Sequence, residues 1–83
     1  MFPKIKSVKA LENFKLEIIF DDNKHVLYDV EEDINSIDNF KDLKNIYGLW
    51  KHVQLDESRT VVYWNDQIDL PSDTLYEYGV PVI

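Results

Sequence analysis

Thr60–Tyr78 reads T-V-V-Y-W-N-D-Q-I-D-L-P-S-D-T-L-Y-E-Y, and its reading decides how this chain folds. Its first five residues are all β-branched or aromatic, which predicts a strand over Thr60–Trp64. Val62 and Trp64 fall on one face of that strand, Val61 and Tyr63 on the other. Asn65, Asp66 and Gln67 read as a tight polar corner, and Pro71, Ser72 and Asp73 open a short helix. Asp69 is expected to bond backbone amides at the start of that helix, and Asp73 to sit in its first turn, where the dipole favours an acid. Leu75, Tyr76 and Tyr78 would pack the helix back on the core. Gly79 is expected just past the helix end, and Pro81 stops the helix from resuming.

Upstream, the pattern has period two and then changes. Phe2–Leu11 predicts a first strand, but Ile5 and Val8 are three apart, which breaks alternation. A bulge near Lys6–Ser7 or a loosely facing edge strand would explain this, and Lys4, Lys6 and Lys9 suit an edge. Phe14–Phe20 is a clear strand, with Leu16, Ile18 and Phe20 on one face. Asp21–Lys24 form a turn, and His25–Val30 returns with Val26, Tyr28 and Val30 on one face. Ile19 and Leu27 give the opposite face apolar content as well, so the C-terminal segment or another chain is expected to cover part of it.

From Ile34 the apolar spacing lengthens to three or four: Ile34, Ile37, Phe40, Leu43, Ile46, Tyr47, Trp50. This predicts a helical segment capped by Ser36 or Asp38, led in by Glu31, Glu32 and Asp33, and broken at Asn45 and Gly48. His52–Asp56 predicts a fourth strand, turning through Glu57, Ser58 and Arg59 into the fifth. The expected architecture is therefore α+β: about five antiparallel strands, arranged as a three-strand meander, a helical segment and a hairpin, then a short C-terminal helix.

The totals narrow the function. Eighty-three residues make one domain, and a chain this short buries only roughly 60% of its unfolded surface. There is no cysteine, which excludes disulfides and thiolate chemistry and suits a reducing cytoplasm. No apolar run approaches the ~20 residues of a membrane span, and Met1–Lys9 does not read as an export signal. The net charge of −7 disfavours direct nucleic-acid binding and favours a basic partner, while also serving solubility.

No catalytic constellation emerges. Asp66, Asp69 and Asp73 lack the spacing of a calcium loop, so no metal or other cofactor is expected. Asp73 and Glu77 share a helix face, yet nothing nearby would split their pKa values for acid–base work. His25 and His52 have no spaced nucleophile, and serines such as Ser36, Ser58 and Ser72 form no recognisable unit with them. The aromatics Trp50, Tyr63, Trp64, Tyr76 and Tyr78 fit core and rim positions. Both faces of the fifth strand are apolar, which leaves Val61 and Tyr63 as candidates for contact with a partner.

The chain resembles the bacterial family known as domain of unknown function 2442. The resemblance covers nearly the whole sequence. It rests on P-K-I-K-S-V-K at Pro3–Lys9, L-E-I-I-F at Leu16–Phe20, Y-D-V at Tyr28–Val30, V-Q-L-D at Val53–Asp56 and the ending that follows Val62. That ending matches the family's W-P-N-G-x-D-L-x-P-[ED]-x-L-Y-E at Trp64, Asp69, Leu70, Asp73, Leu75, Tyr76 and Glu77. Asn65 stands where proline is common, Gln67 where glycine is common, and the Pro71–Ser72 order differs. The resemblance implies antiparallel α+β structure, no established activity and no catalytic residues. It also implies a small toxin-like protein encoded nearby as partner. Some relatives carry a helix-turn-helix, which this sequence lacks, so DNA binding is not carried over.

Together these readings favour a non-enzymatic protein-binding module, antitoxin-like, whose partner is a toxin-like protein or a second copy of itself. The alternative is a small-ligand pocket beside Trp64 and Tyr76. The residues singled out, as interaction surface or structural corner, are Val61, Tyr63, Trp64, Asp66, Asp69, Asp73, Tyr76 and Glu77.

Overall fold

The structure is a computed structural model and describes residues 2–82. Strands β1 (Ile5–Ala10), β2 (Lys15–Phe20) and β3 (His25–Asp29) form the expected meander. Pairing passes from Ile5↔Phe20 to Ser7↔Ile19, so Lys6 is the extra residue of a bulge. The bulge resets the phase of the strand. Ile5 becomes fully buried and Val8 packs on the same core although they are three apart. Asn23, at φ 70°, carries the β2–β3 turn, and Asp22 Oδ1 accepts the Lys24 N–H at 2.9 Å.

The helical segment is broken, as its sequence suggests, but it starts earlier than expected. Helix α1 (Glu31–Ser36) takes Glu31, Glu32 and Asp33 into its first turn. Neither Ser36 nor Asp38 caps it; Asp29 Oδ1 accepts the Glu31 N–H at 3.0 Å instead. A 3₁₀ turn at Asp38–Lys41 leads into α2 (Asp42–Asn45), and another 3₁₀ turn follows at Trp50–His52. Ile37 and Ile46 are extended (φ −116°, ψ 117° and φ −99°, ψ 115°), so helical phase is lost at both. Ile34, Phe40 and Leu43 therefore reach the core, while Ile37, Ile46 and Tyr47 are exposed.

The C-terminal half differs most from expectation. Beyond the short β4 (Gln54–Leu55), β5 (Val61–Asn65) is followed by a further strand, β6 (Ile68–Pro71), before α3 (Ser72–Tyr78). The tail adds β7 (Val80–Pro81), which pairs with β3. The described residues thus form α+β structure with seven antiparallel strands in two sheets, ordered β1-β2-β3-β7 and β4-β5-β6, rather than about five in one. Gly79 is not left-handed (φ −66°). Its role is close approach: a Cβ there would lie 2.6 Å from both Val26 Cγ2 and the Leu75 carbonyl oxygen.

Two prolines close sheet edges. Val82 donates its N–H to the His25 carbonyl at 2.8 Å, with Pro81 opposite Val26 one residue earlier. Alternation then points the Pro81 nitrogen away from β3, toward the free edge. In β6, Ser72 donates to the Thr60 carbonyl at 2.8 Å with Pro71 opposite Val61, so the Pro71 nitrogen faces outward too. At both places the edge lacks the N–H that a further strand would need.

One core joins the sheets, built from Ile5, Leu16, Ile18, Phe20, Val26 and Val30 on one side and Val62, Trp64, Ile68, Leu70 and Leu75 on the other. The Glu57–Arg59 turn ties them at the rim. The Ile5 N–H donates to the Arg59 carbonyl at 2.8 Å, and the Arg59 guanidinium makes two 2.9 Å bonds to the Asp21 carboxylate.

Candidate functional site

The Trp64 corner is a hairpin. Pairing goes from Tyr63↔Asp69 to Asn65↔Ile68, leaving Trp64 as the extra residue of a bulge. Neither Asp66 nor Gln67 has positive φ. The turn is closed instead by the Asn65 side chain, whose Oδ1 accepts the N–H groups of Gln67 at 2.9 Å and Ile68 at 3.0 Å. Trp64 is buried and Ile68 and Leu70 follow it inward, while Asp66 and Asp69 are exposed. Asp69 lies on the outer face of β6 opposite Tyr63 and does not bond the start of α3; the first amide of that helix, Ser72, is taken by the Thr60 carbonyl. Asp73 does sit in the first turn of α3, where its Oδ1 accepts the Thr74 N–H at 2.9 Å.

Val61 and Tyr63 face outward on β5 and are half-buried. They lie opposite Pro71 and Asp69, and the Tyr63 hydroxyl donates to Gln54 Oε1 at 3.3 Å. This face is narrow and partly filled by its own neighbours.

Tyr76 belongs to another place. Its ring meets Phe20 edge-on at 4.8 Å, and its hydroxyl donates to Asp22 Oδ2 at 2.6 Å. The Lys24 ammonium lies 3.9 Å from the same ring. The hydrogen bond from Tyr76 holds the Asp22 carboxyl below its usual range, and Asp22 in turn raises the Tyr76 phenol. Glu77 is exposed beside this cluster, in a shallow hollow with Pro3, Lys24 and Asp73. Tyr76 lines the hollows beside Phe20 and beside Lys24, and Trp64 lines neither of these two. Asp66, Asp69 and Asp73 likewise form no metal-holding group among the described residues. His25 bonds Glu17 at 2.9 Å, and Ser58 bonds Asp56 and Thr60.

A further open surface lies on the outer face of the four-stranded sheet. Leu27 faces outward on β3 between Glu17 of β2 and Val80 of β7. Lys15 and Asp29 form the next cross-strand pair, 3.9 Å apart. Leu27, Tyr28, Asp29, Glu32, Tyr78, Val80 and Lys15 line a groove of about 460 Å³. Tyr78 and Val80 are 68% and 67% exposed there. The Tyr28 hydroxyl donates to Asp33 at 2.8 Å. Its phenol is pushed far above its ordinary value, first by burial, then by the hydrogen bond to Asp33, then by the charges of Asp33, Glu32 and Asp29.

Two sequence signals reach this groove: the outward apolar content of Leu27, and the expectation that the C-terminal segment covers part of that face. Asp29 and Glu32 carry none as groove residues, and the pairing of Val80 with Leu27 is set only when β7 closes on β3. A second exposed apolar surface surrounds Ile46 and Tyr47, beyond the left-handed Gly48 (φ 81°), and is flanked by Lys44 and Lys51.

The two antiparallel sheets and the short helices packed on them define a small α+β domain. A family model described as "Protein of unknown function (DUF2442)" matches residues 5–81, and the chain belongs to that family. No curated protein and no solved structure matches the chain. No helix among the described residues is long and apolar enough to cross a membrane.

Proposed function

We propose that this chain is a non-enzymatic protein-binding module that pairs with a small basic protein, in the manner of a bacterial antitoxin in the cytoplasm. The observation that supports it best is the outer face of the four-stranded sheet, where exposed Tyr78 and Val80 flank Leu27 beneath the acids of α1. Exposed apolar side chains gathered into one patch mark contact surfaces more than scattered ones do. The charge of −7 would draw a basic partner and speed its approach.

The test is co-expression with the protein encoded beside this gene, followed by affinity purification and a growth assay. A stoichiometric complex, with the neighbour's toxicity relieved, is the expected result. Separate elution with toxicity unchanged would refute the reading. Light scattering on the purified chain decides the second-copy case: a concentration-dependent dimer that Tyr78→Ala abolishes would support this face meeting itself.

A further inference from the structure

We propose that the groove at Leu27, Tyr78 and Val80 receives an arginine or lysine side chain from an extended partner segment laid across the sheet face. This deepens the binding-module reading and rests on it. Leu27, Val80 and the Tyr78 ring cover the aliphatic stem of that side chain, and the Glu32 carboxylate receives its charged head.

Three observations lead here. The first is charge. Lys15 is matched by Asp29 at 3.9 Å, and Asp29 also caps α1, so Glu32 is the groove carboxylate with no ion pair among the described residues. Burial and the Asp33 hydrogen bond raise the Tyr28 phenol first, and the charges of Asp33, Glu32 and Asp29 add to the rise; that negative charge also favours a bound cation. The second is shape. An apolar floor with a carboxylate at its rim suits a side chain that is hydrocarbon along its stem and cationic at its tip. The third is the blocked edge. Pro81 presents no N–H on the free side of β7, which opposes strand addition there and leaves the face for docking. The rival surface at Ile46 and Tyr47 is flanked by Lys44, which pairs with Glu31 at 3.1 Å, and by Lys51, and no carboxylate among the described residues lines it to receive a cation.

The experiment is an amide chemical-shift titration of the full chain with an acetylated, amidated Val-Arg-Val peptide, and with Val-Gln-Val as its neutral match. Saturable shifts are expected at 27–32 and 78–80 with the arginine peptide only. Glu32→Lys, at an exposed position, should weaken binding by about tenfold or more, the loss expected for a charge-assisted contact. Tyr78→Ala should weaken it as well, and Pro81→Ala should leave it unchanged.

Equal binding of the glutamine peptide, absence of saturable groove shifts, or full affinity in Glu32→Lys would overturn the proposal. Tighter binding in Pro81→Ala would also overturn it, because it would reveal strand addition. The two readings fail differently. A neighbour that still co-purifies with Glu32→Lys and Tyr78→Ala refutes the groove and leaves the binding module standing. Groove binding of the peptide with no co-purifying neighbour does the reverse.

Discussion

Trp64 stacks on Trp50 with ring centroids 5.5 Å apart and planes inclined by 19°, and its indole N–H donates to the Trp50 carbonyl at 3.0 Å. Trp50 in turn donates its own indole N–H to the Leu11 carbonyl at 2.8 Å and meets Phe14 edge-on. Phe40 closes the other end against Trp64. This aromatic column joins the helical segment, the β1–β2 connection and the Trp64 bulge. Trp64→Ala should destabilise the chain by about 3–5 kcal/mol, a large share of the total stability of a domain this small. Urea unfolding measures this. Loss under about 1 kcal/mol would mean the column is not central to the core.

Gly79→Ala tests close packing apart from backbone conformation. Its φ of −66° suits alanine, but the added Cβ would meet Val26 Cγ2 and the Leu75 carbonyl oxygen, both at 2.6 Å. Destabilisation of about 1–3 kcal/mol is expected, as for other overpacked sites. Adding Val26→Ala should restore little, because the Leu75 carbonyl is backbone and cannot yield. Thermal melts of the single and double variants check both statements.

Ser72→Ala should stabilise. The Ser72 hydroxyl is fully buried and has no hydrogen-bond partner among the described residues. Removing an unpaired buried polar group at the first residue of α3 should gain about 1 kcal/mol, and alanine also favours the helix. For a domain of this size the melting temperature should rise by about 4–8 °C. A fall would show that the hydroxyl is satisfied in solution.

Stability should decline in alkali through Tyr28. Unfolded, its phenol ionises near its ordinary 10.0; folded, the pKa lies higher, so the folded chain holds the proton longer. The contribution is complete below about pH 10 and shrinks as pH rises beyond that. Tyr28→Phe should flatten this alkaline loss, seen in urea midpoints measured across the range. Asp22 and Asp56 act at the other end. Hydrogen bonds from Tyr76 and from Ser58, respectively, lower their pKa values below 3.8, so the stability they give is present above that value and is lost as pH falls through their folded values.

Much of this fold was legible from periodicity. The β2–β3 hairpin follows from strict alternation around a turn of Asp21–Lys24, and the Lys6 bulge from the three-residue gap between Ile5 and Val8. The breaks in the helical segment were legible as well, but not which apolar residues they would expose. Ile46 and Tyr47 keep helical spacing in the sequence, yet the extended Ile46 turns them away from the stripe they continue. Strand β6 was hidden because Ile68 and Leu70 alternate over only four residues beside turn-forming aspartates.

What the sequence determined by itself was local: the α+β class, the first meander, the buried faces of β2, β3 and β5, and the family. Short-range periodicity fixes which residues share a face, and no distant contact is needed to read it. The tertiary structure decided which segments meet. It split the strands into two sheets and brought Val80 to Leu27 to build the groove. It also turned Asp69 from a supposed helix tie into an exposed strand residue. Each of these depends on pairing between residues far apart in the chain, where many registers satisfy local pattern equally and the packing of one shared core selects among them.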